Sequence, residues 1–483
     1  SGSQAGTTAT NPGALYFGGS ADILASTGNV TIDGGTKGVY MTGTFNLGAL
    51  SGSTASTGNV SVLGDVLNGT PTIQVKTTGA VVFESSSASF SSTFATTSLT
   101  VAGPTSGLRI GKTNNTSGVT ISGGAIAVAG PVTINGGAVT VSSSITTTTS
   151  AGTILIPATG AVSITAALTA SGSIGVNSTS VTTSANLAAS GDSGIAMTAT
   201  AGAVTIGGTV AVTTSTVGRI WLKATTNVIT GTADTLTTNG GAVVLWARSG
   251  STENTSSQSG EGYIKLDNGS NITTNGGAII LAGSTSVDSN NLPNGHAYTN
   301  TASTYPIWLG TVATGAAVNF NSGGGQIRVY GQSGNSGYHA LVSITASANA
   351  VTYNSGTGRQ DWNLLSSNTV DNVAEYWGPV TFTSAAVADA TTPALKVQIQ
   401  QTNSSNAYSP IQQQGTFAHK FIANGGGDID VAVTTANTAK YAVDLATKFQ
   451  FSATSGAIRV NFGTGLDLAS ATSTNSVIFG ADG

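Results

Sequence analysis

Short runs of alternating apolar and small polar residues, each closed by glycine, asparagine or serine, recur along this chain and leave few folds open to it. Gly28-Asn29-Val30-Thr31-Ile32, Gly58-Asn59-Val60-Ser61-Val62, Gly118-Val119-Thr120-Ile121-Ser122, Ala161-Val162-Ser163-Ile164 and Ala203-Val204-Thr205-Ile206 are typical. A period of two between turn signals is the pattern of a β-strand with one face buried. Runs of four or five residues cannot build a core singly, so many of them must stack.

The turns repeat as well. Asn135-Gly136-Gly137-Ala138, Asn239-Gly240-Gly241-Ala242 and Asn275-Gly276-Gly277-Ala278 share one motif, and Ser122-Gly123-Gly124-Ala125 is a near copy. Each precedes an apolar strand. Asn and Gly tolerate positive φ, so the chain can turn sharply there. The last two copies lie 36 positions apart, which fits one or two coils of a solenoid with an imperfect repeat.

Composition supports strands. Charged residues make up 7% of the 483, well below the roughly 25% of an average soluble domain. Glycine accounts for 66 positions. Abundant Val, Ile and Thr, with a mean hydropathy of +0.17, argue against disorder. Low charge also suits strands meant to stack, because like charges on adjacent rungs repel.

Ser270-Asn271-Ile272-Thr273-Thr274-Asn275-Gly276-Gly277-Ala278-Ile279-Ile280-Leu281-Ala282-Gly283 resembles the repeats of filamentous-haemagglutinin-like adhesins and related autotransported β-helices. Ala125-Ile126-Ala127-Val128 through Asn135-Gly136-Gly137 is similar in style, and the resemblance spans roughly residues 14–350. It implies a right-handed parallel β-helix, secretion to the cell surface, and adhesion or surface structure.

From about residue 380 the alternating runs lengthen, as in Ala394-Leu395-Lys396-Val397-Gln398-Ile399-Gln400 and Asp428-Ile429-Asp430-Val431-Ala432-Val433. Such alternation suits antiparallel strands with one wet face. The expected fold is therefore all-β. A parallel β-helix (solenoid) occupies residues 1–350. A polar and aromatic junction follows at 351–379, then a C-terminal antiparallel β-sandwich-like domain or cap at 380–483.

Charge is unevenly spread. Residues 1–218 hold 9 charged side chains and the remainder hold 25; between Lys112 and Arg219 only Asp192 is charged. All five Trp and all three His follow residue 218, which places special chemistry in the later part. The densest segment runs from Arg359, Asp361 and Trp362 to Asp371, Glu375, Tyr376 and Trp377. It reads as a glycan-binding platform or interface, in which Trp faces stack on sugars while carboxylates and Arg bind hydroxyls. The plainer reading, a junction of packed aromatics and solvated charges, is preferred.

The remaining signals argue against catalysis. His296, His339 and His419 lie far apart without metal-ligand spacing, and no GxSxG or phosphate-binding loop occurs. Asn424-Gly425-Gly426-Gly427-Asp428-Ile429-Asp430 faintly matches a calcium nonapeptide, but the match has no tandem copy. The β-helix part has few Asp and Arg for a polysaccharide lyase. No cofactor or metal is expected. Cysteine is absent, which rules out disulfides and thiolate metal sites. With a net charge of −4 and no basic run, nucleic acid is not an expected partner, and no apolar stretch is long enough for a membrane-spanning helix.

Ser1-Gly2-Ser3-Gln4 is no signal peptide and reads as the end left after one is removed. Asn68, Asn114, Asn254 and Asn271 head chance-level glycosylation sequons. Function is accordingly expected to be extracellular and non-enzymatic. The preferred reading is a self-associating subunit of a filament, sheath or surface layer. The runner-up is an adhesin or stalk module binding a glycan or cell-surface partner through loops such as 284–306 or 353–378, and a β-helix polysaccharide lyase or hydrolase is the lesser alternative.

Overall fold

A computed structural model describes residues 15–483 except 103, 254–260, 302, 312–314, 335–337, 346–350, 370, 407, 414–417, 440–442, 445–447, 464–465, 468–476 and 480–483. Residues 1–4 and the Asn254 sequon lie outside the described residues. The chain forms two compact units, Ser1–Thr200 and Ala201–Gly483. Among the described residues there is no α-helix; the one helical turn is the 3₁₀ segment Gly35–Lys37.

Both units are parallel β-solenoids built from three ladders, in which each strand pairs with one a full coil later. In the first unit, Val119, Val139, Val162 and Val181 occupy one column, in steps of 20, 23 and 19 residues. Ile145, Leu168 and Leu187 form a column on the second ladder, and Val132, Ile154, Ile174 and Ile195 one on the third. These side chains are buried and face inward, while the residues between them face out: Thr120, Thr140, Ser163 and Thr182 on the first ladder, Leu155, Gly175 and Ala196 on the third. This is the alternation the sequence carries: one residue into the core, the next to water. Each such aliphatic contributes about 1.5–3 kcal/mol by leaving water.

The second unit keeps the three ladders but lengthens the coils. Ile279, Ile327, Gln360, Leu395, Ile429 and Ile458 follow one another at steps of 48, 33, 35, 34 and 29 residues. Its core contains an aromatic column, Phe320, Tyr353, Phe382, Phe421 and Phe451, with successive ring centroids 4.9–5.4 Å apart.

The Asn239-Gly240-Gly241 and Asn275-Gly276-Gly277 turns stack on one another. Gly240, Asn275 and Gly276 do adopt positive φ, as the motif requires, whereas Gly136 and Gly137 do not. The third residue of the turn matters for a different reason. A Cβ on Gly277 would lie 2.0 Å from the carbonyl oxygen of Gly241, and one on Gly358 would lie 2.0 Å from that of Gly325. Beside this glycine column runs a column of buried hydroxyls. Ser322 Oγ shares its hydrogen between the Gly325 carbonyl at 2.5 Å and the Ser355 carbonyl of the next coil at 3.2 Å. Ser355 does the same with Gly358 and Thr383. These bonds satisfy turn carbonyls that burial would otherwise leave unpaired. A buried asparagine column acts likewise: Asn406 Nδ2 donates to Asn368 Oδ1 at 2.6 Å, and Asn437 Nδ2 donates to the Asn406 carbonyl at 2.7 Å.

The expected change of fold at 380 does not occur. Leu395–Gln401, Ala418–Ala423, Ile429–Thr435 and Ile458–Phe462 all pair in parallel with strands one coil away. They extend the solenoid and build no antiparallel sandwich. The segment 351–379 supplies one strand to each ladder, Val351–Asn354, Gln360–Ser366 and Ala374–Tyr376, and is an ordinary coil. The alternation misled because a solenoid strand, though parallel, also has one wet face. Among the described residues the antiparallel strand pairing is that of Ile279–Val287 with Pro293–Gly295, an insertion on the third ladder.

Candidate functional site

The six residues singled out in the sequence do not converge. Arg359 sits in a turn, where Nη2 reaches the Val387 carbonyl at 3.2 Å and Asp389 at 3.4 Å. Asp361 faces outward on the third ladder and accepts a 2.5 Å hydrogen bond from the Tyr330 hydroxyl. Its neighbour Trp362 must point the opposite way. It is buried among Tyr353, Phe382 and Phe320, with Nε1 donating to Gln360 Oε1 at 3.1 Å. Glu375 lies on the first ladder, 2.8 Å from His339 Nε2, while Tyr376 is inward and buried. Burial holds the Tyr376 hydroxyl protonated far above its ordinary range. Trp377 is half-buried. The proposed sugar-stacking Trp362 and the neighbouring candidate Tyr376 are therefore core, and the carboxylates Asp361 and Glu375 stand on different ladders.

The structure assembles a different cluster, on the outer face of the third ladder in the second unit. Every residue of Val243–Ala247 is buried, because the hairpin that includes Ile279–Val287 and Pro293–Gly295 covers the outer side. Val244, Trp246, Ile280 and Ala282 form a small external core against Leu292, Trp221 and Tyr330. Trp246 Nε1 donates to the Ser284 carbonyl at 2.6 Å. Trp221 meets Trp246 edge-on at 5.6 Å, with Arg219 4.6 Å above Trp221 and Lys223 4.3 Å above Trp246.

Polar pairs fasten the hairpin. Arg328 Nη1 bonds Asp288 at 2.9 Å and the Pro293 carbonyl at 3.1 Å. His296 stacks on Tyr330 at 5.4 Å, and its Nδ1 contacts Glu253. Burial pushes the Glu253 carboxyl up, but hydrogen bonds from His296 outweigh it and hold it below the ordinary range. Burial, and then Asp361, raise the Tyr330 hydroxyl. A second cluster holds His339 Nε2 between Glu375 at 2.8 Å and Asp371 at 3.6 Å, with Tyr305 stacked on the imidazole at 5.5 Å. These pairs tie insertions and neighbouring coils together. Among the described residues no group of three or more His, Asp or Glu is arranged to hold a metal ion.

One pattern went unread in the sequence. The outward residues in register on the third ladder are Arg328, Asp361, Lys396, Asp430 and Arg459, alternating in sign from coil to coil. Opposite charges in adjacent register favour this pairing over a slipped one. The signal lay in the second residue of each long strand, but its meaning depends on register across gaps of about 30 residues.

Burial is lower at Leu15–Leu24 and at Ile458–Phe462 than in the coils they pair with. Leu15–Phe17 and Ala21–Leu24 each pair on one edge only among the described residues. Their Leu15, Phe17 and Ile23 are half-buried, whereas Met41, Phe45 and Leu47 one coil further in are fully buried. In the second unit Ile458, Val460 and Phe462 are half-buried, while Ile429 and Val433 beneath them are fully buried.

Comparison of the chain with protein-family models, curated proteins and solved structures gives no match. Its class rests on the fold itself: a three-ladder parallel β-solenoid.

Proposed function

We propose that the protein is a non-catalytic structural subunit of an extracellular filament, sheath or surface layer, assembling by stacking coil ends. The carrying observation is the repetitive fold itself: short strands stacked in parallel ladders over a continuous aliphatic core, with outward faces almost free of charge in the first unit. Low charge adds little repulsion between copies, and the resemblance of the repeats to filamentous-haemagglutinin-like surface proteins supports the extracellular assignment.

The expected result is regular polymers by electron microscopy and rapidly sedimenting species in the ultracentrifuge. Ile23→Lys and Val460→Lys, each placing a charge in an edge column, should leave compact monomers with an unchanged β-sheet spectrum. Monodisperse wild-type protein at high concentration would sink the proposal. The runner-up is an adhesin or stalk module, favoured by the Trp221, Arg219 and Lys223 surface beside the 279–295 insertion. Glycan-array binding lost in Trp221→Ala would support that reading instead.

A further inference from the structure

The first ladder of the first unit carries two outward rows that the assembly reading leaves unused. Thr120, Thr140, Ser163 and Thr182 stand in unbroken register on successive coils. Two residues further along each strand come Ser122, Ser142, Thr165 and Ser184, all at least partly exposed. The ladder continues to this second row, since the backbone N–H groups of Ser142, Thr165 and Ser184 donate to Ile121, Val141 and Ile164. The result is a grid of hydroxyls. Its spacing is about 4.8 Å between coils and about 6.6 Å along each strand.

Three features mark the grid as more than a polar surface. The row of Thr120, Thr140, Ser163 and Thr182 makes no side-chain hydrogen bond within the chain, so its hydroxyls are free to donate and accept. In the second row Ser122 is turned to the Thr96 carbonyl, and Thr165 donates to Ser142 at 3.0 Å. The coils beneath are rigid, with Val139, Val141, Val162 and Ile164 at most 2% exposed, and β-branched Thr is stiff at χ1. The grid also lies within the stretch from Lys112 to Arg219 in which Asp192 alone is charged, and Asp192 is on a turn between the other two ladders.

We propose that this face binds ice. Ice is a neutral lattice of groups that both donate and accept, repeating in two dimensions at spacings near those of the grid. A charged or aromatic surface organises water or sugars differently; here no aromatic ring stands in either row. Each hydroxyl holds one water weakly. Many held at once on a preformed lattice act as a multivalent site.

The test uses the purified full chain and ice itself. Growing crystals in its solution should be faceted, with a measurable gap between melting and freezing points. Thr140→Tyr and Ser163→Tyr, each intruding on the grid, should return both readouts to the buffer value. Ala127→Tyr, on the exposed face of the second ladder, should change neither. Melting curves establish folding, and should a tyrosine variant not fold, Thr140→Ala with Ser163→Ala replaces it, with the same loss expected. Absence of faceting by the wild-type chain overturns the proposal. So does faceting that survives the grid variants. Retention on crystalline cellulose or chitin without ice activity, or grid variants that alter sedimentation alone, would overturn it in favour of a polysaccharide or of a second copy.

Discussion

Gly325→Ala is expected to destabilise the second unit by about 3 kcal/mol or more, an unusual cost for adding one methyl group. Gly325 has no positive φ, so alanine meets no backbone penalty there. The obstacle is steric: a Cβ would stand 1.9 Å from the Gly277 carbonyl oxygen and 2.2 Å from its carbon. That neighbour is backbone, fixed by the ladder and by the hydroxyl of Thr274, which donates to the same carbonyl. Relief therefore requires two coils to separate. Two controls split the terms. Gly276→Ala has open space but a φ of 117°, so it should cost about 1–3 kcal/mol from backbone strain alone. Gly28→Ala has neither clash nor positive φ and should be close to neutral. Urea titrations followed by circular dichroism would give all three. Equal destabilisation by Gly325→Ala and Gly28→Ala would refute the stacked-glycine account.

How much of this was legible without coordinates depends on whether the cue is local. The Val-Thr-Ile type of run fixes which side chains face inward, because strand alternation needs no partner, and the inner columns at Val119, Val139, Val162 and Val181 follow. The Asn-Gly-Gly motif likewise marks real turns. Whether a strand pairs parallel or antiparallel is not local. Leu395–Gln401 has the same alternation in either arrangement, and its partners lie a whole coil away on each side.

The candidate site failed for the same reason. Asp361 and Trp362 are adjacent in sequence, and Glu375 and Tyr376 are too, so in each pair one residue is outward and the other is core. Dense chemistry in sequence became dispersed chemistry in space. The reverse happened around the 279–295 hairpin. Trp246, Ser284, His296, Arg328 and Asp361 are scattered over more than 100 residues, yet they share one outer face or the hairpin covering it. Those contacts depend on the length of an insertion, which no periodicity encodes.

His419 supplies the second large effect, one that pH should reveal. It points inward from Ala418–Ala423, is 2% exposed, and lies against the rings of Tyr376 at 5.0 Å and Phe449 at 5.6 Å. Burial among these rings lowers its pKa to about 3, against 6.5 in an ordinary setting. Above pH 6.5 the imidazole is neutral in both folded and unfolded chains and contributes no pH dependence. As pH falls below 6.5 the unfolded chain takes up a proton that the folded chain refuses, so stability declines until about pH 3. The loss reaches about 5 kcal/mol at most, since each unit of displacement is worth about 1.4 kcal/mol. Phenylalanine fits the site, because position 419 stands in register with Phe449 in an aromatic interior. His419→Phe should therefore lose less stability than the wild type between pH 6.5 and 4. The difference should open already between pH 6.5 and 5, before most carboxylates titrate. His296 and His339 are common to both proteins, so subtraction of the two stability curves isolates His419. Parallel curves over that range would mean that His419 is protonated in the fold, contradicting its burial as a neutral ring.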